Sequence, residues 1–272
     1  SESKDTADVT ISYAATSNDN YTIQLDGASG LVFRHLTLEA DDNNRGRVID
    51  LRNGASCNRF ERNRFAGIPT GNTYNSRAIV FSPRGNNSND RDDQNQFKNN
   101  LFTNGSYGLH LEGYSYSSGS REVGTVVDSN LFENQSYAAV YLTNQENARI
   151  SRNRITTGTS NNFRGIYLDD AFGANRVEKN YIHAKNGEYG IYHYNVDGTS
   201  DDPTIIANNF VIAGGSGDAI GMDISSSDHN KIVYNSVLIT STSADYGRAM
   251  FLDYSDDLEI YNNILANNGG GY

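Results

Sequence analysis

Apolar residues along this chain alternate with polar ones in short runs, none long enough for a helix. One eight-residue pattern recurs: polar, any, apolar, polar, polar, Asn, any, apolar. It stands as NRFERNRF from Asn58, NQFKNNLF from Asn95, TVVDSNLF from Thr125, ARISRNRI from Ala148 and NRVEKNYI from Asn175. TIIANNFV from Thr204, NKIVYNSV from Asn230 and LEIYNNIL from Leu258 bring the copies to eight. A ninth, LVFRHLTL from Leu31, keeps the apolar positions but has Leu36 in place of Asn.

A second, shorter run recurs between these copies: TIQL from Thr22, VIDL from Val48, AIVF from Ala78, GLHL from Gly108 and AVYL from Ala139. GIYL from Gly165, GIYH from Gly190, AIGM from Ala219 and AMFL from Ala249 complete the series, with starts 25 to 31 residues apart. Two strand-like segments in fixed order at such a period predict a solenoid, whose core is built a few inward residues per coil. The expected fold is therefore all-β, one elongated domain over residues 1–272, with about nine coils from Tyr21 onward. Residues 1–20 form an irregular opening, with a strand over Val9 to Tyr13 and a polar turn after it.

The Asn at 63, 100, 130, 153, 180, 209, 235 and 263 predicts a structural ladder. Its side chain can bond to neighbouring backbone and to the Asn of the next coil, roughly 4.8 Å away, and Asn tolerates left-handed backbone at a corner. The longest connections, Ser82 to Gln94 and Glu112 to Gly124, are where function is most readily added to a repeated scaffold.

These paired runs, N-x-[FIV]-x-x-N-x-[FIV] followed by G-[IL]-x-L, resemble the right-handed parallel β-helix repeat of the pectate-lyase-like superfamily from about Tyr21 to Tyr272. The resemblance implies the fold; polysaccharide lyases, epimerases and many surface proteins share it. The opening, SESKDTADVTISY followed by YTIQLDGASGLVFRHLTL, also resembles β-helix regions of large secreted proteins of Bacteroidetes-type bacteria. That implies a multi-domain parent, secreted or on the cell surface. The chain lacks a starting Met and stops at GGGY, the context in which coils open after Tyr107, Tyr137 and Tyr189, so a processed piece that continues past Tyr272 is expected.

The net charge of -11 argues against a nucleic-acid partner, which needs a basic patch. Cys57 is the single cysteine, so no internal disulfide forms, and no apolar stretch approaches the roughly 20 residues of a membrane span. Placing the second and fourth residues of each short run inward leaves outward Gln24 and Asp26, Asp50 and Arg52, Val80 and Ser82, His110 and Glu112, and Tyr141 and Thr143. Tyr167 and Asp169, Tyr192 and Tyr194, Gly221 and Asp223, and Phe251 and Asp253 follow.

Tyr141, Tyr167 and Tyr192 should stack on successive coils. With His110, Glu112, Asp169, Tyr194 and Asp223 they make a face suited to the apolar faces and hydroxyl edges of a polysaccharide. Catalysis has a thinner basis. The resemblance implies a base and a carboxylate partner for a lyase or epimerase of acidic glycans. The five Lys (4, 98, 179, 185, 231) are off this face, which leaves Tyr167 or His110 as base and Arg52 as partner. Glu112 and Asp169, two coils or roughly 10 Å apart, are marginal for a glycosidase pair. His193 takes an inward, structural position. No cofactor or metal site is expected beyond weak calcium candidates in the acidic turns Asp41 to Asn44 and Asn89 to Asp93. The leading expectation is a non-catalytic spacer or adhesin module that binds glycans on its tyrosine face.

Overall fold

The computed structural model describes residues 5–270 except 7, 43, 116, 118, 157–161, 188, 216, 244 and 245. The chain is an all-β parallel solenoid of about nine turns, and among the described residues its only helical segment is a 3-10 turn at Asn75–Arg77. Each coil adds one strand to each of three parallel sheets, of nine, nine and ten strands. The short runs form the first sheet, from Ile23–Asp26 to Gly247–Asp253. The eight-residue pattern, expected to be one strand segment, is instead bent in the middle. Its first half lies in the second sheet and its second half in the third, as Arg59–Glu61 and Arg64–Ala66 show.

The bend is made by the residue before the recurring Asn rather than by the Asn itself. His35, Arg62, Asn99, Ser129, Arg152, Lys179, Asn208, Tyr234 and Asn262 all have φ between 54° and 59°. For residues with a Cβ this costs roughly 1–2 kcal/mol each. The turn swings the next side chain into the interior, where it meets three backbone or amide partners. Asn153 is representative: its backbone N–H and its Nδ2 both donate to Asn180 Oδ1 at 3.0 Å. Nδ2 also donates to the Val127 carbonyl at 2.9 Å, while Asn153 Oδ1 accepts from Asn130. The ladder runs unbroken from Asn63 to Asn263. Leu36 joins it through its backbone N–H alone, 3.1 Å from Asn63 Oδ1.

On either side of the ladder, inward Phe residues stack in register. Phe33, Phe60 and Phe97 lie 5.0–5.1 Å apart under the second sheet. Phe65, Phe102 and Phe132 lie 4.7–4.8 Å apart under the third. At the last coil the corresponding Ile260 and Leu265 are 39% and 46% exposed; Tyr272, where a further coil was expected to open, lies outside the described residues.

Two short runs depart from the expected register. The amides of Val48 and Ile49 both donate to the Ile79 carbonyl, so one extra residue is accommodated there as in a bulge. Val80 then pairs with Ile49 and Leu109, and Ser82 with Leu111, so both point inward and Phe81 takes the outward place. In the eighth run Met222 pairs with Ile191 and Asp223 with Tyr192. The outward pair is therefore Asp223 and Ser225, and Gly221 packs against the Ala249 carbonyl, where a Cβ would come within 2.7 Å.

Ser82 turns inward to a buried acidic network. It lies 2.6 Å from Asp92 Oδ2 and 3.2 Å from Glu122 Oε1, and Gln145 Nε2 donates to Glu122 Oε2 at 2.7 Å. Asp92 and Glu122 are 3% and 2% exposed. Burial, reinforced by their mutual repulsion in Glu122, pushes Asp92 up to about 6 and Glu122 up to about 8.

Asn153→Ala should lower the unfolding free energy by on the order of 3 kcal/mol, because it orphans buried groups on two neighbouring coils. Lys179→Gly should change it by less than about 1 kcal/mol, since relief of left-handed strain offsets the gain in unfolded-state entropy. Urea denaturation followed by circular dichroism checks both, and equal effects would remove the ladder from its structural role. The acidic pair has its own signature. Because the folded state binds these protons more tightly than the unfolded chain, their contribution is complete below about pH 4 and is lost as pH rises through 6 to 8. Melting temperature should therefore fall over that window, and Glu122→Gln, which stays neutral, should flatten the fall.

Candidate functional site

The outward side of the first sheet carries three columns of side chains, each advancing one coil at a time. The central column reads Asp50, Phe81, His110, Tyr141, Tyr167, Tyr192, Asp223 and Phe251. One flank carries Glu112, Thr143, Asp169, Tyr194 and Ser225. The other carries Tyr107, Ala138, Arg164, Tyr189, Ile220 and Arg248. In-register strands place like side chains face to face, so the tyrosines stack: Tyr141 on Tyr167 at 4.6 Å and Tyr167 on Tyr192 at 4.7 Å, each with planes 18° apart.

The aromatic strip is longer than the three tyrosines. Tyr189 stacks on Tyr192 at 4.6 Å, and Tyr194 lies beside Tyr192 at 6.3 Å. At the other end His110 is enclosed by Tyr107, Tyr141 and Phe81 with centroids 4.5–5.2 Å away. The Arg164 guanidinium lies over the rings of Tyr137, Tyr167 and Tyr189 at 4.7–5.6 Å. Arg164, Tyr107 and Tyr189 were not foreseen. Each stands one residue before the Gly that opens a short run, at a position where a repeated outward side chain could have been noticed.

Asp169 is the polar centre of this face. Tyr141 Oη donates to its Oδ2 at 3.0 Å and Tyr167 Oη to the same atom at 3.4 Å. Burial raises the carboxyl of Asp169. Burial, with Asp169 next, also drives the phenols of Tyr141 and Tyr167 far above their ordinary value, and Tyr192 is pushed up to about 12. The phenols therefore stay protonated and act as hydrogen-bond donors. Tyr167, expected as a base for a lyase or epimerase, sits where a phenolate beside Asp169 is strongly disfavoured.

The other sites expected for chemistry are not assembled. Arg52 pairs with Asp50, and four strand steps separate it from Tyr167, roughly 19 Å. His110 Nε2 lies 2.8 Å from Glu112 Oε1, but the imidazole is 5% exposed beneath its aromatic neighbours. Glu112 and Asp169 stand two strand steps apart in the same column, as expected. His193 is inward and buried, and desolvation lowers it to about 4, so it is a neutral core residue. In the acidic turns, Asp42 accepts the amides of Asn44 and Arg45, and Asp90 those of Asn86 and Asn87; Asn43 lies outside the described residues. No group of three or more His, Cys, Asp or Glu among the described residues could hold a metal ion.

Against this geometry stand the likenesses to known proteins. A family model described as "Periplasmic copper-binding protein (NosD)" matches residues 6–213. No curated protein matches the chain. Among solved structures, a mutant of the periplasmic alginate epimerase AlgG superposes with a TM-score of 0.45 at 12% identity, covering 97% of this chain and 74% of that one. The Dettilon tailspike protein (gp208) superposes with a TM-score of 0.36 at 13% identity, covering 90% and 51%. Since the family match takes in well over half of the residues and all but the last coils of the solenoid, the chain belongs to the NosD family.

Proposed function

We propose that this chain is a non-catalytic β-helix module of a large secreted or cell-surface bacterial protein, a rigid spacer or adhesin that binds polysaccharide along its first sheet. The observation that carries this reading is the stack of Tyr141, Tyr167 and Tyr192 with Asp169 held at its edge by two phenols. Aromatic faces match the apolar faces of sugar rings, while Asp169, Glu112 and Asp223 offer acceptors to hydroxyl groups. The rungs repeat every ~4.8 Å along the axis, so a glycan lying lengthwise meets the same chemistry several times. Among the described residues no helix is long and apolar enough to cross a membrane.

The family's name raises copper. Copper takes converging imidazole, thiolate or thioether donors. Here Cys57 is exposed, 3.4 Å from Gln94 Oε1, Met222 and Met250 pair with each other on the first sheet, and the five histidines are dispersed along the chain. The donors among the described residues do not fit the ion. A lyase or epimerase, the rival reading, has in its favour the short His110 to Glu112 contact. It lacks a neighbouring cation in Arg52 and an ionisable phenol in Tyr167.

Tyr167→Ala and Tyr192→Ala should each weaken glycan retention by roughly tenfold, about 1.4 kcal/mol, without producing unsaturated or epimerised sugar. The check is a panel of neutral and acidic polysaccharides read for both retention and product. Unchanged retention in both variants would sink the tyrosine face, and product from the parent protein would make it an enzyme.

A further inference from the structure

A second recess lies at the corner between the second and third sheets, across the coil from the tyrosine face. It is open and shallow, about 820 Å³ over the Asn63, Asn100 and Asn130 steps of the ladder. Its shape follows from the side chains on four successive coils. The first carries Arg62 and Arg64, the next two the shorter Asn99, Leu101, Ser129 and Leu131, and the fourth Arg152 and Arg154. Register confirms the order: Arg64 pairs with Leu101, Leu101 with Leu131, and Leu131 with Arg154. Two arginine pairs thus face each other across a low floor, three steps or roughly 14 Å apart.

The charge in this recess runs against that of the molecule, whose net charge is -11. Arg152 is steadied by Asp128 Oδ2 at 2.6 Å and Ser129 Oγ at 3.3 Å, and Arg154 lies over the Tyr181 ring at 4.7 Å. Arg62 and Arg64 are exposed and have no ion-pair partner among the described residues. Among the described residues the one acid lining the recess is Asp5. Guanidinium groups recognise carboxylate and sulfate oxygens through paired, charge-assisted hydrogen bonds. The floor between them is mixed, with two leucines flanked by the amide of Asn99 and the hydroxyl of Ser129, and that suits a sugar ring better than a bare ion.

We propose that this corner is a second binding site, separate from the tyrosine face, for a short acidic oligosaccharide that presents anionic groups to both arginine pairs. One small anion cannot span the recess. A long polyanion would extend into the field of a net negative protein. Carboxylate and sulfate groups share the required chemistry, and they come from uronic-acid and sulfated glycans respectively.

Titration calorimetry of the whole chain tests the site with three oligosaccharides of equal length, one built of uronic acids, one sulfated and one neutral, at low and near-physiological salt. At least one acidic ligand should bind with an affinity that falls as salt rises. Any binding of the neutral ligand, which the tyrosine face would supply, should be insensitive to salt and to the arginine variants and weakened by Tyr167→Ala. Arg62→Gln with Arg64→Gln, and separately Arg152→Gln with Arg154→Gln, should each weaken that binding tenfold or more, while Tyr167→Ala leaves it unchanged. Preference for the uronic or the sulfated ligand identifies the source. Absence of acidic binding at low salt, equal weakening of neutral and acidic ligands by the arginine variants, indifference of the acidic ligand to both arginine pairs, or its loss on Tyr167→Ala would each overturn the proposal. Should a double variant fail to fold, radical footprinting of the parent with the acidic ligand decides. Protection at Leu101 and Leu131 supports the site, and protection confined elsewhere refutes it.

Discussion

Everything in this solenoid depends on one turn per coil in which a left-handed residue delivers an asparagine to the interior. The left-handed backbone is unfavourable for the Arg, Lys, Ser and Tyr residues that adopt it. It persists because the next residue satisfies the polar groups that a sharp bend would otherwise bury unpaired. Each ladder Asn donates to a neighbouring coil's carbonyl and to the next Asn, and accepts from the previous one. Coils are therefore locked one strand spacing apart at the corner, and the phenylalanine stacks on both sides inherit that spacing.

With register fixed inside, the outside becomes a set of columns in which any side chain is free to vary. That freedom explains how one backbone presents two unlike surfaces. On the first sheet, aromatic residues in five successive positions condense into a strip whose phenols are too buried to ionise. At the ladder corner the same one-coil repeat sets arginines, then short side chains, then arginines again. Neither surface requires a change in the fold, only in which outward residues coincide.

What could be read from the sequence follows the same division. The solenoid, its number of coils, the ladder and the tyrosine stack all rest on strict repetition, and repetition is visible in a string of letters. The third strand of each coil was not, because it depends on φ at Arg62 and its equivalents, residues with no common side-chain type. Phe81 and Ile220 were misplaced for a different reason. A bulge at Ile79 shifts the count by one, so Val80, Phe81 and Ser82 exchange faces. The eighth run begins at Gly221 rather than Ala219, a shift of two that leaves Asp223 outward as expected but moves it into the column of Tyr192 and puts Ile220 on the flank beside Tyr189. Arg164 and the corner arginines escaped because their meaning lies across coils. Arg64 and Arg154 are 90 positions apart in the chain yet face one another over a single recess.

The buried acids show how far the interior departs from a uniformly apolar stack. Asp92, Ser82, Glu122 and Gln145 come from the two longest connections and their neighbours, where coils carry extra residues and the simple ladder cannot reach. Their hydrogen bonds take over its task, since Asp92 Oδ1 accepts the Ala55 amide at 2.7 Å just as the Asn side chains accept theirs. A carboxyl can do this without lasting charge only if it holds a proton, and burial supplies the required shift in Glu122. The insertions therefore depend on a proton where the regular coils depend on an amide, which makes these middle coils, and not the ladder, a part of the core whose stability falls as pH rises.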